Sequence, residues 1–170
     1  MATKKQSLRE FQAGLTDRLR EVQGQPASTS LLGVLAGSQH WLLSLEDSGE
    51  VIPVPEVSAV PLTKPWFCGL TNIRGNLFSV VDFAAFQGEE PTPRTVDSRL
   101  LLIGERFNVN SALLVNRMMG LRNVNRMQAE DQAPAHPWIN AQFKDTDGRV
   151  WKELNVRELV EHPDFLQIGV

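Results

Sequence analysis

The sequence predicts a mainly β fold organised as two small barrels, with a helix near each end. Three observations carry this expectation. Apolar runs are short, and turn residues separate them at intervals of about 8–12 residues, the spacing of barrels rather than of helix-linked parallel strands. Helical periodicity is confined to the two ends of the chain. The length of 170 residues suits one domain or two small lobes sharing a core.

The elements follow in order. Leu8, Phe11, Leu15, Leu19 and Val22 fall on one face of a helix. Ser7 and Glu10 make a capping box at its start, and Gly24 and Pro26 end it. Residues 24–30 (GQPASTS) are a linker by composition. Strands are predicted at 31–36, 41–45 and 51–54, then at 78–83. Pro53 falls within the third of these, and Pro55, Pro61 and Pro65 follow it; proline cannot donate to a ladder, so they mark edges, bulges or connections. The polar stretch 87–93 (QGEEPTP) is the best boundary between lobes. Further strands are predicted at 99–103, 112–115, 118–122, 138–143 and 149–154, with a loop over 128–137. Asp147-Gly148 favours a hairpin turn in the penultimate connection. Asn155 and Glu158 cap a short helix that Pro163 stops. The resulting division is a helix and linker over 1–29, a domain over 30–160 and a tail over 161–170. Within the domain, lobe one covers about 30–86 and lobe two about 97–155, and exchange of strands between them is left open.

Composition narrows the function. Seventeen basic and 20 acidic residues leave a net charge of −3, which lacks the electrostatic footprint of a dedicated nucleic-acid binder. Arg117, Arg122 and Arg126 could line a nucleic-acid surface, but the stretch interleaves methionines rather than aromatics. A single cysteine, Cys68, excludes an internal disulfide and a cysteine-rich zinc site, and fits a reducing compartment. The basic start, MATKKQ, has no apolar stretch after it, and no run approaches the ~20 residues of a membrane helix. The expectation is a cytoplasmic protein.

Catalytic and ligand motifs are missing. His40, His136 and His162 are scattered, and no glycine-rich phosphate loop occurs. Asp145 and Asp147 resemble part of a calcium loop, but Leu154 stands where the bidentate glutamate belongs, so the hairpin reading is preferred. Asp82 and Asp97 have nothing in sequence to hold them together. Cys68 with His40 or His136 is the one nucleophile pair that a small hydrolase could use; as a residue beside Gly69, Cys68 is more simply a packing position. No cofactor or metal is expected.

The informative stretch is 51–83, VIPVPEVSAVPLTKPWFCGLTNIRGNLFSVVDF. Gly69 and Gly75 bracket a special turn that glycine permits, Asn72 can bond its own backbone, and Arg74 is the anomaly between apolar strands. Arg74 either lies over a barrel wall with its stem packed or presents its fork to a partner. The order Pro65-Trp66, Gly69, Asn72-Ile73-Arg74-Gly75 and Val80-Val81-Asp82-Phe83 resembles the signature of the CheW family of chemotaxis coupling proteins. The resemblance covers about 30–160. Residues 113–121 (LLVNRMMGL) resemble the family's second-half strand, with Asn116 in place of the usual aspartate and Met118 in place of valine. The leading helix and residues 161–166 (EHPDFL) resemble the PilI-type branch, associated with type IV pilus twitching motility.

The resemblance implies two SH3-like five-stranded barrels and no chemistry. It implies two partners: the regulatory domain of a CheA-like histidine kinase, and the helical cytoplasmic tip of a methyl-accepting chemoreceptor. By the same resemblance, Gly69, Asn72, Arg74 and Gly75 lie near the receptor and Val51, Val54 and Val57 near the kinase. The protein would sit in the cytoplasm at receptor arrays of the inner membrane, with no nucleic acid bound and no insertion in the membrane. A flagellar chemotaxis coupling protein is the near alternative.

Overall fold

The computed structural model describes residues 30–170. The N-terminal helix expected from 1–29 lies outside the described residues. The chain is mainly β and forms two sheets.

The first sheet has six strands. β1 (Ser30–Ala36) and β2 (Gln39–Leu43) form a hairpin around Gly37-Ser38. The other four come from the second half of the chain: β8 (Arg117–Asn123), β9 (Gln128–Glu130), β10 (Ile139–Lys144) and β11 (Val150–Leu154). Their order is β8-β1-β2-β11-β10-β9, with β2 and β11 parallel. The second sheet takes the middle of the chain: β3 (Ser48–Pro53), β4 (Phe67–Ile73), β5 (Asn76–Asp82), β6 (Arg99–Ile103) and β7 (Ser111–Val115), in the order β3-β6-β7-β5-β4. Strands are therefore exchanged between the halves, and a cut near 87–93 does not separate the sheets.

The expectation of two five-stranded barrels is corrected. One sheet has six strands, and neither closes on itself among the described residues. Both nevertheless curl. The end strands of the first sheet, β8 and β9, are consecutive in the chain, joined by the single 3-10 turn Val124–Arg126. In the second sheet β3 does not pair with β4. The connection 54–66 lies along the edge of β4 instead: Ser58 and Leu70 exchange two backbone hydrogen bonds of 2.8 and 2.9 Å. That segment occupies the edge a closing β3 would need.

Three apolar cores fit this shape. One joins both sheets and contains Val34, Trp41, Leu101, Leu113 and Phe83, all buried. A second belongs to the five-stranded sheet alone (Ile73, Val80, Leu100, Leu102, Ala112, Leu114), and a third to the six-stranded sheet (Leu31, Leu42, Trp151). Consecutive Leu100, Leu101 and Leu102 are all buried because the sheet buries both faces.

Three local expectations are also corrected. The strand expected to run through Phe83 ends at Asp82, whose carboxylate caps a short helix, α1 (Phe83–Phe86), by accepting from the Ala85 amide at 3.2 Å. Part of the loop expected over 128–137 is β9. Pro163 ends one helix and also starts another: α2 (Val156–Glu161), capped by Asn155 on the Glu158 amide at 3.2 Å, is followed by α3 (Pro163–Leu166). Proline suits a first helical position because that amide has no intrahelical partner.

Candidate docking site

Ile73 and Asn76 pair across β4 and β5, leaving Arg74-Gly75 as a two-residue hairpin turn. Both central residues have positive φ, 52° and 85°, as a type I′ turn demands. The Asn72 side-chain oxygen accepts from the Gly75 amide at 2.9 Å and fixes the turn. Arginine is not a residue that adopts this conformation readily. Its side chain is 73% exposed, and its Nη2 lies 2.6 Å from Glu50 Oε1 on β3, the opposite end strand of the curled sheet.

Open surface lies on both sides of this tip. Along β4 runs a shallow cleft of about 640 Å³, lined by Pro55, Glu56, Ser58, Leu70, Asn72 and Leu77. Leu77, two residues past the turn, is an exposed apolar side chain. On the other side a smaller cleft of about 170 Å³ includes Glu50, Ile73, Arg74 and Phe78.

The structure brings Asn72, Arg74 and Gly75 together. Gly69 is elsewhere: it does not bracket the turn but sits buried in a bulge of β4, with φ at 134°. A Cβ there would stand 2.0 Å from the Ser58 carbonyl oxygen, so glycine is what lets the 54–66 connection cross this strand. Val51, Val54 and Val57 are half-buried and do not share one face. Val51 packs on the core that joins the sheets, and Val54 and Val57 on the core of the five-stranded sheet beside Cys68.

Asp82, the acid of the Val-Asp pair, is buried and fully engaged. It accepts from the Thr92 amide and hydroxyl, both at 2.7 Å, as well as from the Ala85 amide. It therefore pins the 87–93 loop and has no free edge for a ligand. Glu89 in that loop grips the β1–β2 turn, accepting from the Ser38 amide at 2.6 Å and its hydroxyl at 3.0 Å. Sequence reasoning passed over Glu89, because its partner lies 51 positions away. The Asp145 carboxylate accepts from the Asp147 and Arg149 amides and from the Trp151 indole, each at 2.9 Å, which makes 145–148 a capped hairpin turn.

The nucleophile pair is not assembled. His40 packs on Trp151 at 4.9 Å and His136 stacks on Trp138 at 4.5 Å; among the described residues neither is hydrogen-bonded to Cys68. Burial, then the nearby Asp82 charge, push the Cys68 thiol above its ordinary pKa, the wrong direction for a thiolate nucleophile.

What the fold and this site define is a class: a two-sheet β protein that presents a braced arginine on a hairpin tip beside open clefts, with no catalytic group assembled among the described residues. The comparisons give the family. Residues 30–164 match the CheW-like domain, and the chain belongs to that family. It is 27% identical to Protein PilI of Pseudomonas aeruginosa over 97% of this chain and 92% of that one. Its fold is similar to the crystal structure of the scaffolding protein TtCheW from Thermoanaerobacter tengcongensis, with a TM-score of 0.65 and 17% identity, covering 80% of this chain and 94% of that one. Among the described residues no helix is long and apolar enough to cross a membrane.

Proposed function

We propose that this protein is a non-catalytic coupling protein. It holds the cytoplasmic tip of a methyl-accepting receptor and the regulatory domain of a CheA-like histidine kinase in one assembly, in a system that controls type IV pilus twitching motility. The observation that carries the reading is Arg74: an exposed guanidinium kept on a rigid turn in a backbone conformation that costs free energy. A planar fork held in this way is suited to bind carbonyl or carboxylate groups of a partner. Likeness to PilI over nearly the whole chain supports the pilus system over a flagellar one.

The binding surface for the receptor is assigned to Asn72, Arg74 and Gly75, with Gly69 shaping the strand beneath. Val51, Val54 and Val57 are assigned to the kinase side. Such a protein transmits signal because its affinity for each partner depends on the partner's state. The test is calorimetric binding of the whole chain to the receptor tip and to the kinase regulatory domain, for wild type and Arg74→Ala. The proposal expects both partners to bind and the substitution to weaken the receptor arm by tenfold or more. No binding of either partner by folded wild-type protein would overturn it. Stronger binding to flagellar than to pilus partners would favour the flagellar reading.

A further inference from the structure

Residues 167–170 leave α3 and cross to the connection between β3 and β4. Gly169 faces Thr63 in an isolated antiparallel bridge: the Lys64 amide donates to the Ile168 carbonyl at 2.8 Å, and the Val170 amide to the Leu62 carbonyl at 3.1 Å. Beside this segment lies a mostly apolar cleft of about 310 Å³, open to solvent, which Ile168 of the segment lines. Its floor is core: Phe67, Val81, Val160 and Phe165 are all buried. Its rim is not: Leu166, the last residue of α3, is 61% exposed, and Ile168, the one residue of the segment that lines the cleft, is half-buried.

The anchor on the other side is strained. Leu62 has φ at 59°, a left-handed conformation uncommon for a bulky residue, and its side chain is exposed. Its carbonyl receives the Val170 amide. Backbone strain of this kind persists where surrounding contacts impose it; here they are the bridge and the Thr63 hydroxyl, which donates to the Val60 carbonyl at 2.8 Å across Leu62. A segment with two backbone hydrogen bonds, a strained anchor and little buried area belongs to the low end of local stability.

We propose that residues 167–170 are a detachable strap. They lift from residues 62–64 in a local opening that leaves both sheets intact and, by withdrawing Ile168 from its wall, widens the apolar cleft over Phe67, Val81, Val160 and Phe165. This does not depend on which partner the protein serves.

Hydrogen exchange on the whole wild-type chain tests the opening directly. The Lys64 and Val170 amides are expected to exchange at least a hundredfold faster than the amides of β7. A second measurement tests the gating. Gly169 and Thr63 form the pair that does not exchange hydrogen bonds with each other, whose Cα atoms stand about 4.5 Å apart, within disulfide reach. A Cβ at Gly169 meets nothing within 4 Å. In a Cys68→Ser background, T63C with G169C is expected to bind the dye 1-anilinonaphthalene-8-sulfonate when reduced, and to lose at least fivefold of that fluorescence when oxidised. Lys64 exchanging at the β7 rate would overturn the strap. Equal dye binding by the reduced and oxidised forms would overturn its role as a gate.

Discussion

Replacing Arg74 with glycine separates what the turn needs from what the arginine does. Three effects set the size of the change. Removing a side chain at φ of 52° relieves a conformation that costs an L-residue roughly 1–2 kcal/mol. Glycine also gives the unfolded chain more freedom, which costs about 0.5–1 kcal/mol. The pair with Glu50 is lost, but both side chains are substantially exposed, and such pairs contribute about 0–1 kcal/mol. The three sum to between about 1 kcal/mol of destabilisation and about 1.5 kcal/mol of stabilisation. Urea unfolding of Arg74→Gly and wild type is therefore expected to give the same midpoint to within that margin, with an unchanged slope. Binding to the receptor tip, measured on the same samples, is expected to fall tenfold or more. A loss of stability above about 2 kcal/mol would refute the reasoning, because the arginine would then be a structural residue and its strain would need no functional account.

Three further outcomes follow from the neighbouring residues. Gly69→Ala is expected to destabilise by more than about 2 kcal/mol, since its Cβ would collide with the Ser58 carbonyl, whereas Gly75→Ala, with nothing within 4 Å, should cost about 1 kcal/mol; thermal unfolding ranks them. Asp82→Asn is expected to cost about 2–4 kcal/mol, because every partner of the carboxylate is a donor and one would then face an amide NH₂ in a buried site; denaturant unfolding reads this. Burial pushes the Glu89 carboxyl up, but hydrogen bonds from Ser38 and Gln39 and the Lys152 charge together outweigh it and hold the pKa below the ordinary value. A depressed carboxyl contributes stability above its unfolded value of about 4.3 and loses it as pH falls through the folded value. Glu89→Gln is therefore expected to be less stable than wild type by about 1 kcal/mol at pH 7, with the difference beginning to shrink as pH falls below about 4.3 and continuing to shrink through the folded value.

What the sequence made legible was local. The strand at 99–103 needs only its own apolar run, the Asn155 cap needs only Glu158 three positions on, and the turn at Arg74-Gly75 announces itself through glycine. β4 was hidden because Gly69 breaks its alternation with a bulge and the prolines before it read as connection. The short helix α1 was hidden because FAAF continues an apolar strand, and the capping role of Asp82 shows only once the chain has turned. The allocation of strands was illegible for a different reason. β2 pairs with β11 and β5 with β7 across long sequence separations, and no periodicity in either strand encodes its partner. The same holds for the site: Arg74 meets Glu50 24 positions away, and Glu89 meets Ser38 51 positions away.

Within the stretch 66–83 the fold consumes most of the residues that make it recognisable. Gly69 admits the crossing connection, Asn72 ties the turn, Gly75 supplies its second positive φ, and Asp82 caps a helix and pins the 87–93 loop. Each would be required of any protein with this architecture, whatever it bound. Arg74 differs from all four. Its one described polar contact is an exposed pair with Glu50, of little net worth, and its backbone position favours another residue. A side chain that the architecture would do as well without, held rigidly by neighbours that the architecture does need, is best explained by something outside the molecule. The structural residues of the signature therefore make the hairpin stiff, and the arginine is what that stiffness presents.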